Sequence, residues 1–208
     1  MDPQLLAEVR RLTAVEDDGI TQARRRATGI APTPEVGALL AWAAATVEAR
    51  AAVEVGAAGG VTGLWIARGL RERGVLTSVE ADPHAHGLAD EAFATVGGTR
   101  KVRGILGEPA TVLPRLSDGG YDLVLLQGRP DDYPEHLEHA RRLLRPGGVL
   151  VARDVLRPGE AGEALATFLQ QLAEDVEGFA TVVLPLDDGV ALATRRDDAD
   201  GEPPSGTS

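Results

Sequence analysis

Val53-Glu54-Val55-Gly56-Ala57-Ala58-Gly59-Gly60-Val61-Thr62-Gly63 is where the chain changes its period. Before it, residues 51–55 form a short apolar run rich in β-branched side chains. After it, Leu64, Trp65, Ala67, Arg68, Leu70 and Arg71 recur at helical spacing. Strand, glycine turn and helix succeed one another without a linker. Glycine carries no Cβ, so such a turn lets a ligand approach the backbone, and the helix behind it aims free N–H groups at an anionic group. Glu54 would repel a pyrophosphate, but it suits a ligand bearing an ammonium group or hydroxyls. The same turn also serves plain packing of a helix on a sheet, so its meaning depends on the residues placed at fixed distances downstream.

Downstream, the chain alternates. Strands are predicted at 51–55, 75–80, 101–106, 121–127 and 148–153, with helices between them at 60–73, 83–96, 109–116 and 134–144 and another at 160–176. Strands alternating with helices give a doubly wound parallel α/β sheet. The end differs, because 180–186 and 190–195 are joined only by Asp187-Asp188-Gly189. That leaves no room for a crossover helix, so these two strands form an antiparallel hairpin. Ahead of the sheet, Leu5, Leu6, Val9, Leu12 and Val15 mark one helix, residues 20–27 a second, and Thr33-Pro34 caps a third over 35–48. The expected organisation is an N-terminal helical segment over 1–50 belonging to the same domain, a core over 51–195, and a disordered acidic tail over 196–208 rich in Pro, Gly and Ser.

Composition narrows the function. The 208 residues carry a formal charge of −11, which argues against a nucleic-acid partner. Cysteine is absent, removing disulfides, thiolate metal sites and cysteine nucleophiles. Lys101 is the only lysine among 21 basic residues. The N-terminus, with Asp2 and Glu8, does not read as a secretory signal, and the longest apolar run, 38–47, is too short for a bilayer. A cytoplasmic protein with no membrane partner is expected. The Arg24-Arg25-Arg26 run reads as a solvated helix face, as do His136 and His139, while His84 and His86 read as exposed loop residues.

In an open parallel sheet, ligands sit beyond the C-terminal strand ends near the topological switch point. The second strand ends in Glu80, 20 residues after Gly60, the interval at which an acid accepts hydrogen bonds from ribose hydroxyls. The third runs into Glu108, suited to an adenine amino group, and the fourth into the amide of Gln127.

Together these pieces resemble the class I S-adenosylmethionine-dependent methyltransferases. Within them the chain is similar to the small bacterial O-methyltransferases of the catechol and caffeoyl-CoA group, O-methyltransferase family 3. The resemblance rests on Thr33-Pro34-Glu35-Val36-Gly37, the 54–60 turn, Glu80, Tyr121-Asp122-Leu123-Val124, Leu144-Arg145-Pro146-Gly147-Gly148 and Leu184-Pro185-Leu186-Asp187-Asp188-Gly189-Val190, and covers about residues 30–195. It implies a Rossmann-like seven-stranded sheet whose last strand is antiparallel, S-adenosylmethionine as cofactor, and a homodimer. By the same resemblance Glu54, Gly56, Gly60 and Thr62 hold the methionine part, Glu80 the ribose and Glu108 the adenine side. Ala57, Ala81 and Gln127 complete the expected cofactor-binding set.

The departures concern metal chemistry. In that family the fourth strand ends in Asp-Ala-Asp-Lys, supplying a metal ligand and a catalytic base; here those positions read Gln127-Gly128-Arg129-Pro130. The family's second metal pair, Asp-Asn, reads Arg153-Asp154. An amide is a poor ligand for a hard cation and proline carries no base. The sequence therefore predicts no metal site and leaves Asp154 as the candidate general base for methylation of a hydroxyl on a small molecule. A degenerate scaffold that binds the cofactor without turnover is the alternative. A nucleotide-dependent oxidoreductase is disfavoured by Glu54, by Ala58 at the second glycine of a dinucleotide fingerprint, and by the terminal hairpin.

Overall fold

The computed structural model describes residues 3–159 and 162–197. Three helices come first, α1 (Pro3–Thr13), α2 (Asp18–Arg26) and α3 (Pro34–Thr46). The alternating part contains β1 (Ala51–Val55), α4 (Val61–Gly69), β2 (Val75–Glu80), α5 (Pro83–Phe93), β3 (Val102–Leu106), the short α6 (Pro109–Val112), β4 (Tyr121–Leu126), α7 (Tyr133–Leu143), β5 (Leu144–Arg153) and α8 (Gly162–Glu174). It closes with β6 (Phe179–Leu184) and β7 (Val190–Arg195).

The seven strands form one sheet in the order β3-β2-β1-β4-β5-β7-β6. β7 runs antiparallel to both β5 and β6, and the remaining pairs are parallel. The Rossmann-like architecture and terminal hairpin expected from the alternation are both present. Strand order reverses between β1 and β4, and this opens a crevice at their C-terminal ends.

Both faces of the central strands are buried, which is why β4 reads as a continuous apolar run. Leu123 and Leu125 face one core with Val36 and Leu40 of α3, Leu64 and Ile66 of α4, and Ile20 of α2. Val124 and Leu126 face the other, with Leu137 of α7 and Phe168 of α8. α2 and α3 thus share their core with the sheet, while the apolar side chains Leu5, Val9 and Leu12 of α1 are exposed. α2 is capped by Asp17, whose carboxylate accepts the Ile20 N–H (2.9 Å), and α3 by Thr33.

Several boundaries shift. β5 starts at Leu144 rather than 148, because Leu144-Arg145-Pro146-Gly147-Gly148 continues the strand through a bulge and does not stop the helix. The helix read at 60–73 ends at Gly69, and its C-cap Leu70 is already extended. Phe93 and Val112 end their helices in α-geometry and pass into 3-10 turns, 94–96 and 113–115. His84 and His86 lie in the first turn of α5, the first exposed as expected and the second half-buried. One surface reading changes, because His136 is a buried residue of α7, 2% exposed. Of the arginine run, Arg24 pairs with Glu16 and Arg26 with Glu91, while Arg25 is exposed. Residues 160 and 161 of the expected last helix, and 198–208 of the expected tail, lie outside the described residues. Among the described residues no helix is long and apolar enough to cross a membrane.

Candidate active site

The crevice at the switch point is built on the glycine turn. Gly56, at φ +87°, donates its N–H to Val79 O of the neighbouring strand (2.8 Å), and a Cβ there would meet the Gly128 backbone at 3.1 Å. Gly60, at φ +90°, begins α4, and a Cβ there would press on Ala92 at 2.9 Å. Both positions need glycine for backbone conformation and for close approach. Glu80, at the end of β2, closes the turn from the side. One of its oxygens accepts the N–H groups of Ala57 (2.8 Å) and Ala58 (3.2 Å), and the other accepts Asp82 N–H (3.0 Å).

A cavity of about 520 Å³ opens over this turn. Of the residues singled out in the sequence, Gly56, Glu80, Ala81, Glu108 and Gln127 line it. Thr28, His84, Arg129, Asp132 and His136 join them. Ala57, Gly60, Thr62 and Glu54 stand behind the wall. A larger groove, about 840 Å³, lies at the opposite end of the sheet beside Trp42 and Asp122, away from the strand ends that carry these acids.

Behind the wall, hydrogen bonds run from strand to strand. Glu54 is fully buried and accepts from Ser78 Oγ (2.6 Å) and Thr62 Oγ1 (2.9 Å). Burial pushes its carboxyl up to about 7; the two hydrogen bonds oppose the shift and the nearby Glu80 charge adds to it. Thr62 Oγ1 in turn accepts from the Gln127 amide (2.5 Å), which also donates to Gly56 O. Gln127 Oε1 accepts from Arg153 Nη1 (2.9 Å). Ser78, Glu54, Thr62, Gln127 and Arg153 therefore tie together the ends of β2, β1, β4 and β5 and the first turn of α4.

The last member of this series governs the metal question. Arg153 ends β5 with its side chain only 3% exposed. Its Nη2 lies 3.5 Å from Asp154 Oδ1 and 3.8 Å from Asp187 Oδ2, within ion-pair range but without a hydrogen bond. Asp154 takes a left-handed conformation (φ +59°) that costs a non-glycine residue on the order of 1 kcal/mol. It accepts from Arg157 Nη2 (3.0 Å), and Arg157 reaches Asp188 at 3.5 Å. Burial raises the Asp154 carboxyl above the usual range; the Arg153 and Arg157 charges oppose this, and Asp188 and Asp187 reinforce it. A divalent cation placed between Gln127 and Asp154 would meet a buried guanidinium, so the residues present do not fit the metal of the resembled family. Among the described residues no group of three His, Asp or Glu side chains is arranged to hold a metal ion.

Other residues near these strand ends have packing roles. Tyr133 is 1% exposed; its hydroxyl donates to Arg153 O (2.9 Å) and Leu126 O (3.2 Å), and its ring meets Phe168 edge-on at 5.4 Å. Burial pushes its phenol well above the ordinary range, with the Asp154 charge acting in the same direction, so it stays neutral. Asp132 lines the cavity and pairs with Arg129 at 3.6 Å, while Asp131 is exposed. His136 is the cavity residue that sequence reasoning misplaced. Its spacing from Tyr133, Leu137 and Ala140 puts it on the buried stripe of α7, and that periodicity was the available signal. Burial lowers its pKa, with Asp132 and Glu135 opposing, and its Nδ1 has no hydrogen-bond partner.

The family model described as O-methyltransferase matches residues 2–196. A protein of Mycobacterium sp. (strain JLS), provisionally named an O-methyltransferase, is 42% identical over 193 residues, covering 86% of this chain and 87% of that protein. Among solved structures, the O-methyltransferase TomG from Streptomyces achromogenes, involved in tomaymycin synthesis and crystallised with S-adenosylmethionine, superposes with a TM-score of 0.82 at 26% identity, covering 95% of this chain and 100% of that one. A protein from Corynebacterium glutamicum gives a TM-score of 0.82 at 27% identity, with 93% and 96% covered. The family model spans nearly the whole chain and the mycobacterial relative is 42% identical across it, so the chain belongs to the O-methyltransferase family.

Proposed function

We propose that this protein transfers a methyl group from S-adenosylmethionine to a hydroxyl of a small molecule, without a divalent metal. The observation carrying the metal-free part is the buried guanidinium of Arg153 between Gln127 and Asp154. For the cofactor, the cavity over the glycine turn has suitable size and polarity. Glu80 would take the ribose hydroxyls, Glu108 would face the adenine side, and the 56–62 turn would receive the methionine part. S-adenosylmethionine, when bound, supplies a methyl group made electrophilic by its sulfonium. The protein's task is then to place the acceptor oxygen in line and receive its proton. Asp154 is the group for that proton, because its raised pKa brings a carboxylate closer to the acidity of the hydroxyl it serves. The family resemblance also supports a homodimer, which sedimentation at micromolar concentration tests.

The experiment is calorimetric titration of metal-stripped protein with S-adenosylmethionine and S-adenosylhomocysteine, repeated with magnesium. Binding of both ligands with no change on adding magnesium is the expected result. A requirement for magnesium overturns the reading of Gln127 and Arg153, and failure of either ligand to bind overturns the cofactor assignment. A second reading, a scaffold that binds cofactor without turnover, draws on the engagement of Asp154 by Arg157 at 3.0 Å. Turnover on any hydroxyl acceptor eliminates it.

A further inference from the structure

His136 is a buried polar side chain, 2% exposed, in the wall of the 520 Å³ cavity, and the fold gives it no partner. Its Nδ1 is buried without a hydrogen bond, and the imidazole makes no hydrogen bond with any described residue. Tyr133, one turn earlier on α7, shows the contrast, since its hydroxyl donates to two backbone carbonyls. Buried polar groups are almost always paired, so an unpaired one in a cavity wall points to a ligand. Burial lowers the pKa of His136, with Asp132 and Glu135 opposing and His139 reinforcing, and the ring is neutral at neutral pH. A neutral imidazole carries one N–H donor and one acceptor. Nε2 is the nitrogen that is not sealed in the protein, so it is the one that meets the cavity. Buried N–H groups without a partner are rarer than buried acceptors without one, which leaves Nδ1 as the bare lone pair and puts the proton on Nε2.

The neighbours of this donor say what it meets. Along the strand order β1-β2-β3 the cavity passes from the glycine turn to Glu80 and then to Glu108, the N-cap of α6. α7 lies beside α6 on the same face of the sheet. Leu113, just after α6, shares a core with Tyr133 and Leu137, and Arg142 of α7 donates to Leu113 O (2.8 Å) and Leu116 O (2.9 Å). Glu108 and His136 therefore stand on adjoining walls. With the turn assigned to the methionine part and Glu80 to the ribose, these are the walls left for the base.

Resting on the cofactor reading above, we propose that His136 is a specificity-determining residue that reads the adenine ring, its Nε2–H donating to the ring nitrogen next to the amino group, N1 or N7. Glu108 accepts from that amino group. A carboxylate acceptor beside a neutral donor matches the one arrangement adenine offers on either edge, an N–H₂ donor next to a ring acceptor. A keto purine puts an oxygen against the carboxylate instead. The neutrality of His136 belongs to the same design, because a buried imidazolium facing an uncharged base would have no counter-charge there.

The test compares, by calorimetry, the affinity of S-adenosylhomocysteine with those of its 1-deaza and 7-deaza analogues, in each of which one ring nitrogen is replaced by C–H. One analogue is expected to bind about 10-fold more weakly in the unmutated protein, the scale of one hydrogen bond, and the other to bind like the parent. In His136→Phe, which keeps a ring but no nitrogen, the parent falls about 10-fold and the sensitive analogue no longer differs from it. His136→Gln, whose amide N–H reaches the place of Nε2, keeps part of the preference. Equal binding of all three ligands by the unmutated protein overturns the proposal, as when His136 serves only water. Equal weakening of both analogues overturns it too, by assigning the loss to the altered ring, and so does a preference that survives in His136→Phe. Absence of S-adenosylhomocysteine binding defeats the cofactor reading itself, so the two failures are distinguishable. The comparison in the unmutated protein decides the matter even if replacing a buried residue prevents folding.

Discussion

Glu54 is a carboxylate that folding removes from water completely, and its hydrogen bonds to Ser78 and Thr62 only partly compensate. Its ordinary value is 4.5 and its folded value is about 7, so the fold prefers the protonated form. That preference sets the sign of the pH dependence. The Glu54 contribution to stability is fully present below about 4.5 and is lost as pH rises through about 7, a fall of about 3 kcal/mol. Glu54→Gln, which cannot ionise, is expected to flatten that fall; urea denaturation at about pH 5 and about pH 8 measures it. Equal slopes in the two proteins would mean that Glu54 is ionised at no such cost. This residue also shows how far the site was legible. The sequence placed an acid at the end of β1, and the resemblance attached it to the cofactor's methionine part. The structure puts it behind the wall, supporting Thr62 and, through it, Gln127. Spacing along a strand says which end a side chain is near; in a strand buried on both faces it does not say which side chain reaches the cavity.

At the scale of elements, β1, β4 and β5 are fastened at the end away from the cavity. Asp122 accepts the N–H groups of Arg50 (2.7 Å) and Ala51 (2.9 Å) with one oxygen and Arg145 Nε (2.6 Å) with the other. Arg145 then reaches Val47 O beyond α3 (3.0 Å). Asp122→Ala is expected to cost about 2–3 kcal/mol in urea denaturation, because the charge-assisted hydrogen bonds to two backbone N–H groups and to Arg145 Nε are lost. Affinity for S-adenosylhomocysteine should stay unchanged, as the clamp lies at the far end of the strands; a large affinity loss would show that the two ends are coupled. Tyr121-Asp122 and Leu144-Arg145-Pro146-Gly147 were among the most recognisable words of the sequence, and here they hold the fold rather than the ligand. Strand direction could be read in advance, whereas the strand order comes from the structure. Alternation fixed the parallel strands and the short Asp187-Asp188-Gly189 link required a hairpin. The bulge that extends β5 back to Leu144 was hidden because Pro146 and the glycines also signal a helix stop. The burial of His136 was hidden because its charged neighbours Glu135, Glu138 and Arg141 suggested a solvated face.

For the whole molecule the governing quantity is its charge. The chain carries −11, and Glu80, Asp82, Glu108 and Asp132 stand around the cavity against the guanidinium of Arg129. S-adenosylmethionine and S-adenosylhomocysteine share an ammonium and a carboxylate, but the first carries an additional sulfonium charge. A negative field therefore attracts the substrate more than the product and helps the product leave after methyl transfer. Salt tests this because screening shortens the reach of the field from about 10 Å at 0.1 M to about 3 Å at 1 M. The ratio of the two affinities is expected to favour S-adenosylmethionine several-fold at low salt and to fall towards unity as salt approaches about 1 M, where the field reaches only about 3 Å. S-adenosylhomocysteine is the internal control, since a general effect of salt on the fold or on apolar contacts moves both ligands together. A ratio that stays constant with salt would assign the preference to contacts with the sulfonium itself and remove the acidic surface from the account.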